Sequence, residues 1–350
     1  MNDKIVLVDL VDRAFYSKNS FNASSKPRTD VERIFEREGW GRVYLYNLFF
    51  VRKYNLWLRI LINFFNNILL CIQMIKLIRL RNVYVIMQYP FLNRLLYYAV
   101  KYLSKQNKVV ILFHDIHSLR YGELINKEKQ LFNLIYKSIV HTKEMKNAMI
   151  RLGVKTDFVI LNFFDYLSER KNEIQINTNN VEIVFAGNLE KSRFLKYLYK
   201  MDIPSNYSYL LYGKPEPQYL NKNIHYKGTF DSNNIDNVEG NWGLVWDGDS
   251  IKSCSGLPGE YLKFNAPFKF SLYLALGIPV IVWSKSAMAY YVDKYHLGIV
   301  VDSLSEIPDK IKVIDENKKI LMKNGIEKIS NFIKNGEMLK NAIIEVLHLE

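Results

Sequence analysis

NAPFKFSLYLALGIPVIV, residues 265–282, is the stretch that decides the fold. Pro267 is typical of a helix start, Gly277 of a helix end, and the β-branched run after it of a buried strand. A helix N-terminus presents unpaired backbone N–H groups and the positive end of the helix dipole, so it favours phosphate. Lys269 falls in the first turn, where its charge opposes that dipole. An anionic ligand therefore explains this lysine better than an ordinary helix and strand of any α/β domain does.

Outward from this stretch, apolar runs of strand length alternate with longer helical patterns. The runs are continuous and rich in β-branched residues, as in parallel strands that are covered on both faces. This pattern predicts an α/β chain with doubly wound sheets. In the first half it predicts strands at residues 5–10, 42–46, 83–88, 109–114, 138–141 and 158–161, and helices at 29–38, 56–80, 92–103 and 144–151. In the second half it predicts strands at 181–185, 207–212, 243–246, 279–283 and 299–301.

A polar segment at residues 168–180 interrupts the alternation and is typical of a linker. The length of 350 residues suits two domains. We therefore predict an N-terminal Rossmann-like domain over residues 1–167 and a C-terminal one over residues 181–330, facing each other across a cleft. Residues 331–350 are predicted to form a last helix that crosses back to the first domain. Ligands of such domains bind at the carboxyl ends of the strands.

The chain carries a net charge of +13 and only two cysteines, Cys71 and Cys254. Two distant cysteines provide no disulfide framework and no metal-binding spacing, and they fit a reducing compartment. The positive charge fits an anionic membrane surface or a phosphate-bearing substrate. No recognition motif accompanies it, so we expect no nucleic-acid partner. The N-terminus lacks the long apolar region of a secretory signal, which predicts a cytoplasmic protein whose membrane contact, where present, is peripheral and at the inner face.

The longest apolar candidate for a membrane span covers residues 60–75 and contains three asparagines and a glutamine. A span needs about 20 mostly apolar residues. We therefore predict a helix of the core or of an interface, and no crossing of a membrane.

The stretch at residues 265–282 resembles the nucleotide-binding signature of GT-B glycosyltransferases, which commonly reads Pro-x-Lys, then Glu-Tyr, a small apolar run and Gly-x-Pro-Val. The usual ribose-binding glutamate falls on Leu272, so that contact is absent or supplied from elsewhere. The resemblance implies a GT-B fold of two Rossmann-like domains, with the nucleotide-sugar donor on the C-terminal domain. The register matches at Pro267, Lys269, Tyr273, Ala275, Gly277, Pro279 and Val280.

A second candidate segment opens the C-terminal domain, where a strand ends in Gly187-Asn188 and a basic loop follows. Glycine lets backbone approach a ligand, and Lys191 and Arg193 supply charge for a diphosphate, as the basic loop of GT-B enzymes does at this point. Two further stretches at strand ends, residues 211–214 and 246–250, are candidates for the nucleotide pocket, as are residues 226–229, where GT-B proteins recognise the base. The residues predicted to bind the donor are Gly187, Asn188, Lys191, Arg193, Tyr212, Gly213, Gly228, Asp247, Asn265, Lys269 and Tyr273.

Asp247 and Asp249 allow another interpretation, because Asp-x-Asp after an apolar strand also describes the metal site of the GT-A glycosyltransferase fold. Two such carboxylates would hold Mn²⁺ or Mg²⁺ on a diphosphate. The pair follows a complete α/β domain and precedes the stretch at 265–282, which favours a role without metal. We therefore expect no metal and no cofactor.

The N-terminal half is predicted to bind the acceptor. Ser24, Ser25 and Lys26 lie in a polar loop at the start of a helix, in the cleft position, and are candidates for acceptor binding. A helix cap at Thr29 or Asp30 also explains the loop, and both explanations can hold together.

The segment from His114 to Arg120 ends another strand that faces the cleft. An acceptor hydroxyl loses a proton as it attacks, and His114 and Asp115 are the candidate catalytic bases, with Arg120 a candidate for acceptor binding. Histidine is the more natural base near neutral pH, although a structural histidine is as good an explanation for His114, and the same ambiguity applies to His141.

The motifs taken together resemble one group of GT-B enzymes. This group comprises bacterial glucosyltransferases that add glucose to GlcNAc on serine-rich repeat adhesins, together with related β-1,6-galactofuranosyltransferases of surface-polysaccharide pathways. The motifs are Ala-Ser-Ser-Lys-x-x-x-Asp-Val, His-Asp-Ile-x-Ser-Leu-Arg, Ala-Gly-Asn-Leu-x-Lys-Ser, Gly-Leu-Val-Trp-Asp-Gly and Pro-x-Lys-x-Ser-Leu-Tyr-Leu-Ala, spread over residues 22–282.

This resemblance implies a metal-independent, cytoplasmic, homo-oligomeric enzyme. It would move glucose or galactofuranose from a UDP-sugar to a saccharide acceptor on a glycoprotein or a lipid-linked glycan. Leu272 and the apolar helix at 56–80 leave a second interpretation open, a catalytically idle scaffold or subunit for a partner transferase. The retained cleft charges of Lys191, Arg193 and Lys269 favour the enzyme.

Overall fold

The structure, a computed structural model, describes residues 4–12, 25–47, 55–171, 173–217 and 221–348. The chain divides into two units. The N-terminal unit comprises residues 1–140, 146–161 and 342–350, and the C-terminal unit comprises residues 141–145 and 162–341. The segment predicted as a linker, residues 168–180, belongs to the C-terminal unit.

The sheet of the N-terminal unit has six strands, β1 (Ile5–Asp12), β2 (Gly41–Asn47), β3 (Tyr84–Tyr89), β4 (Lys108–Phe113), β5 (Lys137–Val140) and β6 (Asp157–Ile160). They confirm the six predicted strands, with ends shifted by at most two residues. Their order is β2-β1-β3-β4-β5-β6, and all pairs are parallel. Strand β1 lies between β2 and β3. The connection from β1 to β2 runs to one side of β1, and the next connection returns past β1 to β3 on its other side. The switch point of the sheet therefore lies between β1 and β3.

The helices described in this part of the chain are α1 (Lys26–Arg37), α2 (Leu56–Gln73), α3 (Leu95–Leu103), α4 (His117–Tyr121), α5 (Ile125–Phe132) and α6 (Lys143–Arg151). Helix α1 begins three residues before its predicted start, and Ser25 is its N-cap residue. The predicted cap at Thr29 or Asp30 is therefore wrong, because both residues lie inside the helix.

Helix α2 is not a helix of the core, so that alternative of the prediction is wrong, and the interface alternative stays a prediction. Together with a 3₁₀ turn at Met74–Arg79 it is long and apolar enough to cross a membrane, and it is the one such helix in the described part of the chain. It buries Asn66, Leu70 and Leu77 but exposes most of its other large apolar side chains. The Gln73 amide fixes it to the sheet, since it exchanges hydrogen bonds of 2.9 and 3.0 Å with the backbone of Tyr46 on β2.

The sheet of the C-terminal unit also has six strands, β7 (Val181–Ala186), β8 (Tyr207–Tyr212), β9 (Ile224–Gly228), β10 (Trp242–Val245), β11 (Val280–Trp283) and β12 (Gly298–Val301). The order is β12-β11-β10-β7-β8-β9, with all pairs parallel, so the switch point lies between β7 and β10. The five predicted strands are confirmed. Strand β9 was not predicted, because this edge strand reads IHYKG and lacks a continuous apolar run.

The helices that follow β7 are α7 (Leu195–Leu198), α8 (Gly256–Tyr261), α9 (Phe268–Leu276), α10 (Ala287–Tyr295), α11 (Ile307–Lys312), α12 (Glu316–Lys334) and α13 (Glu337–His348). The last residues of α13, from Ala342, belong to the N-terminal unit. Within that unit, the buried Lys137 ammonium donates a hydrogen bond of 3.1 Å to the Val346 carbonyl.

Helix α9 is held against the sheet by Tyr273, which is fully buried. Its ring occupies the space where Gly243 of β10 has no side chain, since a Cβ atom there would lie 2.1 Å from the ring. Its hydroxyl accepts a hydrogen bond of 2.9 Å from the Ala186 N–H at the end of β7. The predicted helix end at Gly277 is confirmed by its left-handed backbone (φ 77°).

Gly243→Ala is expected to lower the free energy of unfolding by about 3 kcal/mol, because the added methyl group overlaps a buried ring. Gly228→Ala is the matched control: Gly228 has a positive φ of 78° with open space around it, so it should lose only about 1 kcal/mol. Urea denaturation of both variants measures the difference. Equal losses would show that α9 moves freely away from β10.

Candidate functional site

The residues predicted to bind the donor lie along one edge of the C-terminal sheet. Gly187 follows β7, Tyr212 ends β8, Gly228 ends β9 and Asp247 follows β10. These are four neighbouring parallel strands, so their carboxyl ends meet at the same edge. Ligands of doubly wound sheets bind at this edge, beside the switch point.

Lys269 lies in the first turn of α9, next to the switch point. Its Nζ donates a hydrogen bond of 3.1 Å to the Trp246 carbonyl and lies 4.3 Å from the centre of the Phe185 ring. Burial lowers the pKa of the Lys269 ammonium, and the negative charge of Asp247 opposes this effect only in part. The first turn of α9 contains no acidic residue and no side-chain cap. This arrangement favours an anion, which would restore solvation to the ammonium and bind the helix N-terminus.

Two glycines bring backbone close to the lysine. A Cβ atom at Gly187 would lie 3.9 Å from the Lys269 Nζ, so the backbone after β7 passes beside the ammonium. At Gly213 the backbone has φ 144°, and a Cβ atom would lie 1.8 Å from the Gly187 carbonyl oxygen. Only glycine fits at position 213, and it sets the path of the loop after β7.

The basic loop after β7 is ordered by its own polar groups. The Asn188 side-chain oxygen accepts a hydrogen bond of 2.9 Å from the Lys191 N–H. The Arg193 guanidinium lies 3.7 Å from an Asp249 carboxylate oxygen, and both side chains are exposed. The Phe194 N–H donates a 3.1 Å hydrogen bond to the Gly248 carbonyl. The loops after β7 and β10 are therefore joined, with Lys191 and Arg193 exposed along the edge.

Asn265 lies just before α9 with its side-chain oxygen buried and without a hydrogen-bond partner among the described residues. The backbone on both sides of Asn265 is held by two hydrogen bonds. The Ala266 N–H donates one of 3.1 Å to His141 Nδ1, and the Phe264 carbonyl accepts one from the Thr142 hydroxyl. His141 is fully buried in this role, which favours the interpretation as a structural histidine.

Two predicted donor-binding tyrosines are buried in the C-terminal unit. The Tyr212 hydroxyl accepts a hydrogen bond of 2.9 Å from the Glu239 N–H, and the Tyr273 hydroxyl accepts one from the Ala186 N–H. Both therefore hold backbone next to the strand ends. Any contribution they make to donor binding is the positioning of the loops.

A separate polar cluster lies at the β1–β3 switch point of the N-terminal unit. His114 Nε2 is 2.7 Å from the Gln88 side-chain oxygen, and the Gln88 side-chain nitrogen donates a hydrogen bond to Asp9. The Arg28 guanidinium lies 3.5 Å from the same carboxylate. Burial raises the pKa of the Asp9 carboxyl, and the charge of Arg28 opposes that rise.

The cluster determines the tautomer of His114. Because the Gln88 amide directs its nitrogen to Asp9, its oxygen faces His114 and accepts a hydrogen bond from Nε2–H. The basic lone pair of the neutral ring is then on Nδ1. The arrangement of carboxylate, amide and imidazole holds the ring in one orientation, with Nδ1 buried.

The other predicted residues of the N-terminal unit are placed differently. Asp115 forms an ion pair of 2.8 Å with Arg120, and both side chains are partly exposed. Lys26 is 1% exposed, and its ammonium forms a buried ion pair with Asp30 one turn along α1. Ser25 is the N-cap residue of α1, and Ser24 lies outside the described residues. A charge-paired carboxylate is a weaker base than a free one, which favours His114 over Asp115.

Sequence reasoning missed Asp9, Gln88 and Arg28. A signal was present for the first two, because each is a lone polar residue within a buried apolar strand, and such residues need a partner. Arg28 gave none, since its polar segment was predicted as a loop, where arginine is ordinary, and the structure places it in the first turn of α1.

Comparison with known proteins links the whole architecture to sugar transfer. Two family models match, the glucosyltransferase 3-like N-terminal domain at residues 13–163 and the glucosyltransferase 3-like C-terminal domain at residues 183–346. The chain is 31% identical over 253 residues to the beta-1,6-galactofuranosyltransferase WbbI of Escherichia coli (strain K12), covering 69% of this chain and 71% of that protein.

Solved structures share the fold at low sequence identity. Sucrose-phosphate synthase from Thermosynechococcus elongatus superposes with a TM-score of 0.58 at 12% identity, over 99% of this chain and 100% of that one. Anabaena Alr3699/HepE, solved in complex with UDP and glucose, gives a TM-score of 0.57 at 13% identity over 99% of each chain. With its two parallel six-stranded sheets, the chain has the two-domain α/β GT-B fold.

Lys269→Ala is expected to weaken binding of inorganic pyrophosphate by about tenfold or more, because a charge-assisted hydrogen bond contributes about 1.5–3 kcal/mol. The protonated amine is the form that binds. Since its pKa lies below the ordinary lysine value of 10.5, affinity should begin to fall at a lower pH than for an exposed lysine. Lys269→Arg, which stays charged, should keep its affinity over the same range.

Titration calorimetry from neutral to alkaline pH measures both effects. The ratio of the wild-type and Lys269→Arg affinities removes the titration of pyrophosphate itself. A ratio that does not change with pH would contradict the assignment of Lys269 as the anion-binding group.

Proposed function

This chain belongs to the glucosyltransferase 3-like family of glycosyltransferases, and on that premise we propose that it transfers a hexose from a UDP-sugar to a saccharide acceptor. The donor binds the C-terminal unit and the acceptor binds the N-terminal unit. The saccharide is part of a glycoprotein or a lipid-linked glycan in cell-surface synthesis.

One observation carries the proposal: the partly desolvated Lys269 ammonium lies beside the Gly187 backbone at the N-terminus of α9 and the switch point of the sheet. A diphosphate fits that position, since the ammonium and the helix N-terminus both stabilise negative charge. Arg193 and Lys191 extend the positive edge toward the same loop. Negative charge develops on UDP as its bond to the sugar breaks, and these positive groups are already in position to stabilise that charge.

We propose that the reaction needs no metal ion. Asp249 faces Arg193, and an Asp247 carboxylate oxygen accepts a hydrogen bond of 2.8 Å from the Gly248 N–H. In the described part of the chain no group of three His, Cys, Asp or Glu side chains is placed to hold a metal. Lys269 and the helix N-terminus would neutralise the diphosphate instead.

The sugar is glucose or galactofuranose. The family models carry a glucosyltransferase description, the Escherichia coli relative is a galactofuranosyltransferase, and the Anabaena structure contains UDP and glucose. UDP is the leaving group for either sugar, so the diphosphate site suits both. An assay with the two donors, UDP-glucose and UDP-galactofuranose, distinguishes them.

We propose His114 as the catalytic base and Asp9 and Gln88 as the residues that position it. The acceptor hydroxyl would give its proton to the imidazole as it attacks the anomeric carbon, and because Nδ1 is buried its surroundings have to open for that step. The two cysteines are free, one exposed and one buried, which supports a cytoplasmic enzyme. Assembly as a homo-oligomer is part of the same proposal and rests on the family resemblance alone.

In a thermal-shift panel of UDP, GDP, ADP, CMP, UDP-glucose and UDP-galactofuranose in EDTA, only the UDP compounds are expected to raise the melting temperature. A ligand at about 100 times its dissociation constant stabilises the fold by roughly 2.7 kcal/mol. Lys269→Ala should lose the shift, and Lys318→Ala, on the exposed surface of α12, should keep it. A shift that requires Mn²⁺ would favour a metal at Asp247 and Asp249. No shift with any nucleotide would favour the idle scaffold.

His114→Ala is expected to reduce turnover by about 10²–10⁴-fold while the UDP-induced thermal shift is retained, because general base catalysis contributes that much. Gln88→Leu should also reduce turnover and should displace the acidic limb of the pH–rate profile, because the ring loses its fixed tautomer. Asp115→Asn is the matched control, and we expect it to stay within about threefold of wild type. A large loss in Asp115→Asn with an active His114→Ala would assign the base to Asp115.

A further inference from the structure

The positive charge of the chain is concentrated in one stretch. Residues 39–114 contain no aspartate and no glutamate, and their 11 lysines and arginines account for most of the net charge of +13. In a chain with 35 acidic residues, such a stretch repels cationic partners and attracts anionic ones. Helix α2 lies in the middle of it.

Helix α2 and the 3₁₀ turn after it carry a continuous apolar face that is exposed. We call it the α2 face; its residues recur every three or four positions, as on one side of a helix. The side chains are 43–82% exposed, far more than apolar residues of this size in a core. They are Trp57, Leu61, Phe64, Ile68, Ile72 and Ile75. The opposite side of the helix, with Asn66, Leu70 and Leu77, packs on the N-terminal unit.

Cations and aromatic rings border the α2 face. Lys76 and Arg79 are exposed on the 3₁₀ turn that ends the α2 face, whereas Arg59 lies on the opposite side of the helix. Helix α3, which packs beside α2, exposes Tyr98 and Lys101. An apolar face bordered by cations and aromatic rings is the composition of helices that lie in the headgroup region of a bilayer.

The sheet topology prevents this helix from crossing a membrane. Strand β2 precedes it and β3 follows it, and both pair with β1. A crossing would put β2 and β3 on opposite sides of the bilayer. The Gln73 hydrogen bonds to Tyr46 also keep α2 against the sheet. The axis of the helix therefore lies parallel to any surface that covers its exposed side.

A second copy of the chain is a poor occupant of the α2 face. In a symmetric dimer the same patch meets itself, and residues 39–114 supply cations to both sides and no carboxylate to either. A surface rich in anionic lipid supplies the missing negative charge and accepts the apolar side chains at the same time. We propose that the α2 face binds an anionic lipid bilayer and holds the protein at the membrane surface.

The proposal is tested with vesicles of phosphatidylcholine alone and of phosphatidylcholine with about 30% phosphatidylglycerol. The wild type is expected to co-sediment with the anionic vesicles, less so at high salt, and weakly with the neutral ones. Trp57 is 82% exposed, so its emission should shift to shorter wavelength on binding, and Trp57→Phe should remove most of that shift. These measurements need no sugar donor, so they are independent of the proposed activity.

Two variants of the α2 face are compared with two matched variants on α12 of the C-terminal unit. Phe64→Ser/Ile68→Ser/Ile72→Ser and Lys76→Gln/Arg79→Gln should each weaken vesicle binding by about tenfold or more. Ile320→Ser/Leu321→Ser and Lys318→Gln/Lys323→Gln also alter exposed side chains and should bind as the wild type does. Unchanged circular dichroism and melting temperature would show that the variants are folded.

Failure of the wild type to bind anionic vesicles, or equal binding by the α2-face and control variants, would overturn the proposal. So would a wild-type dimer in lipid-free light scattering that the apolar triple variant converts to monomer, with no vesicle binding. That result would assign the α2 face to a second copy of the chain.

Discussion

The candidate donor site depends on the contact between the Tyr273 ring and Gly243. The ring fits because residue 243 has no side chain, and the hydroxyl then reaches the Ala186 N–H at the end of the neighbouring strand. This contact sets the distance between α9 and the sheet. The Lys269 ammonium can therefore lie beside both strand ends at the switch point. Charge and loop geometry at the site follow from a packing constraint in the core.

In the N-terminal unit a buried network of hydrogen bonds, rather than a packing contact, positions the candidate catalytic side chain. Asp9 and Gln88 are buried polar residues among mostly apolar strand side chains, so burial forces them to satisfy each other. That pairing leaves one amide oxygen for His114. The orientation of an imidazole at the strand edge is thus determined by groups inside the sheet. A buried polar network is costly when incomplete, which makes it a precise way to fix one ring.

Much of this arrangement could be predicted from the sequence. Continuous apolar runs locate strands well, and eleven of the twelve were predicted; β9 was missed because an edge strand needs no such run. Lys269 was singled out because its charge is unfavourable at a helix N-terminus without a ligand, and its role in binding stays a prediction. Tyr273 and Lys26 were assigned to ligands from their motifs, and the structure buries both, since sequence position does not tell which side of a loop faces inward. The Asp9–Gln88–His114 chain joins residues of β1 and β3 with the residue that follows β4, and only the strand order brings them together.

Helix α13 is linked to the sheet of the N-terminal unit by the hydrogen bond from Lys137 on β5 to the Val346 carbonyl, which spans 209 positions. Lys137 is 2% exposed, and its ammonium also lies 4.8 Å from the Tyr136 ring. A hydrogen bond to such a charged group contributes about 1.5–3 kcal/mol, and its loss would leave the charge poorly solvated. The two halves of this protein are therefore not two separable pieces of sequence. A fragment cut after the first sheet would lack the part of α13 from Ala342 onward, which belongs to the same unit.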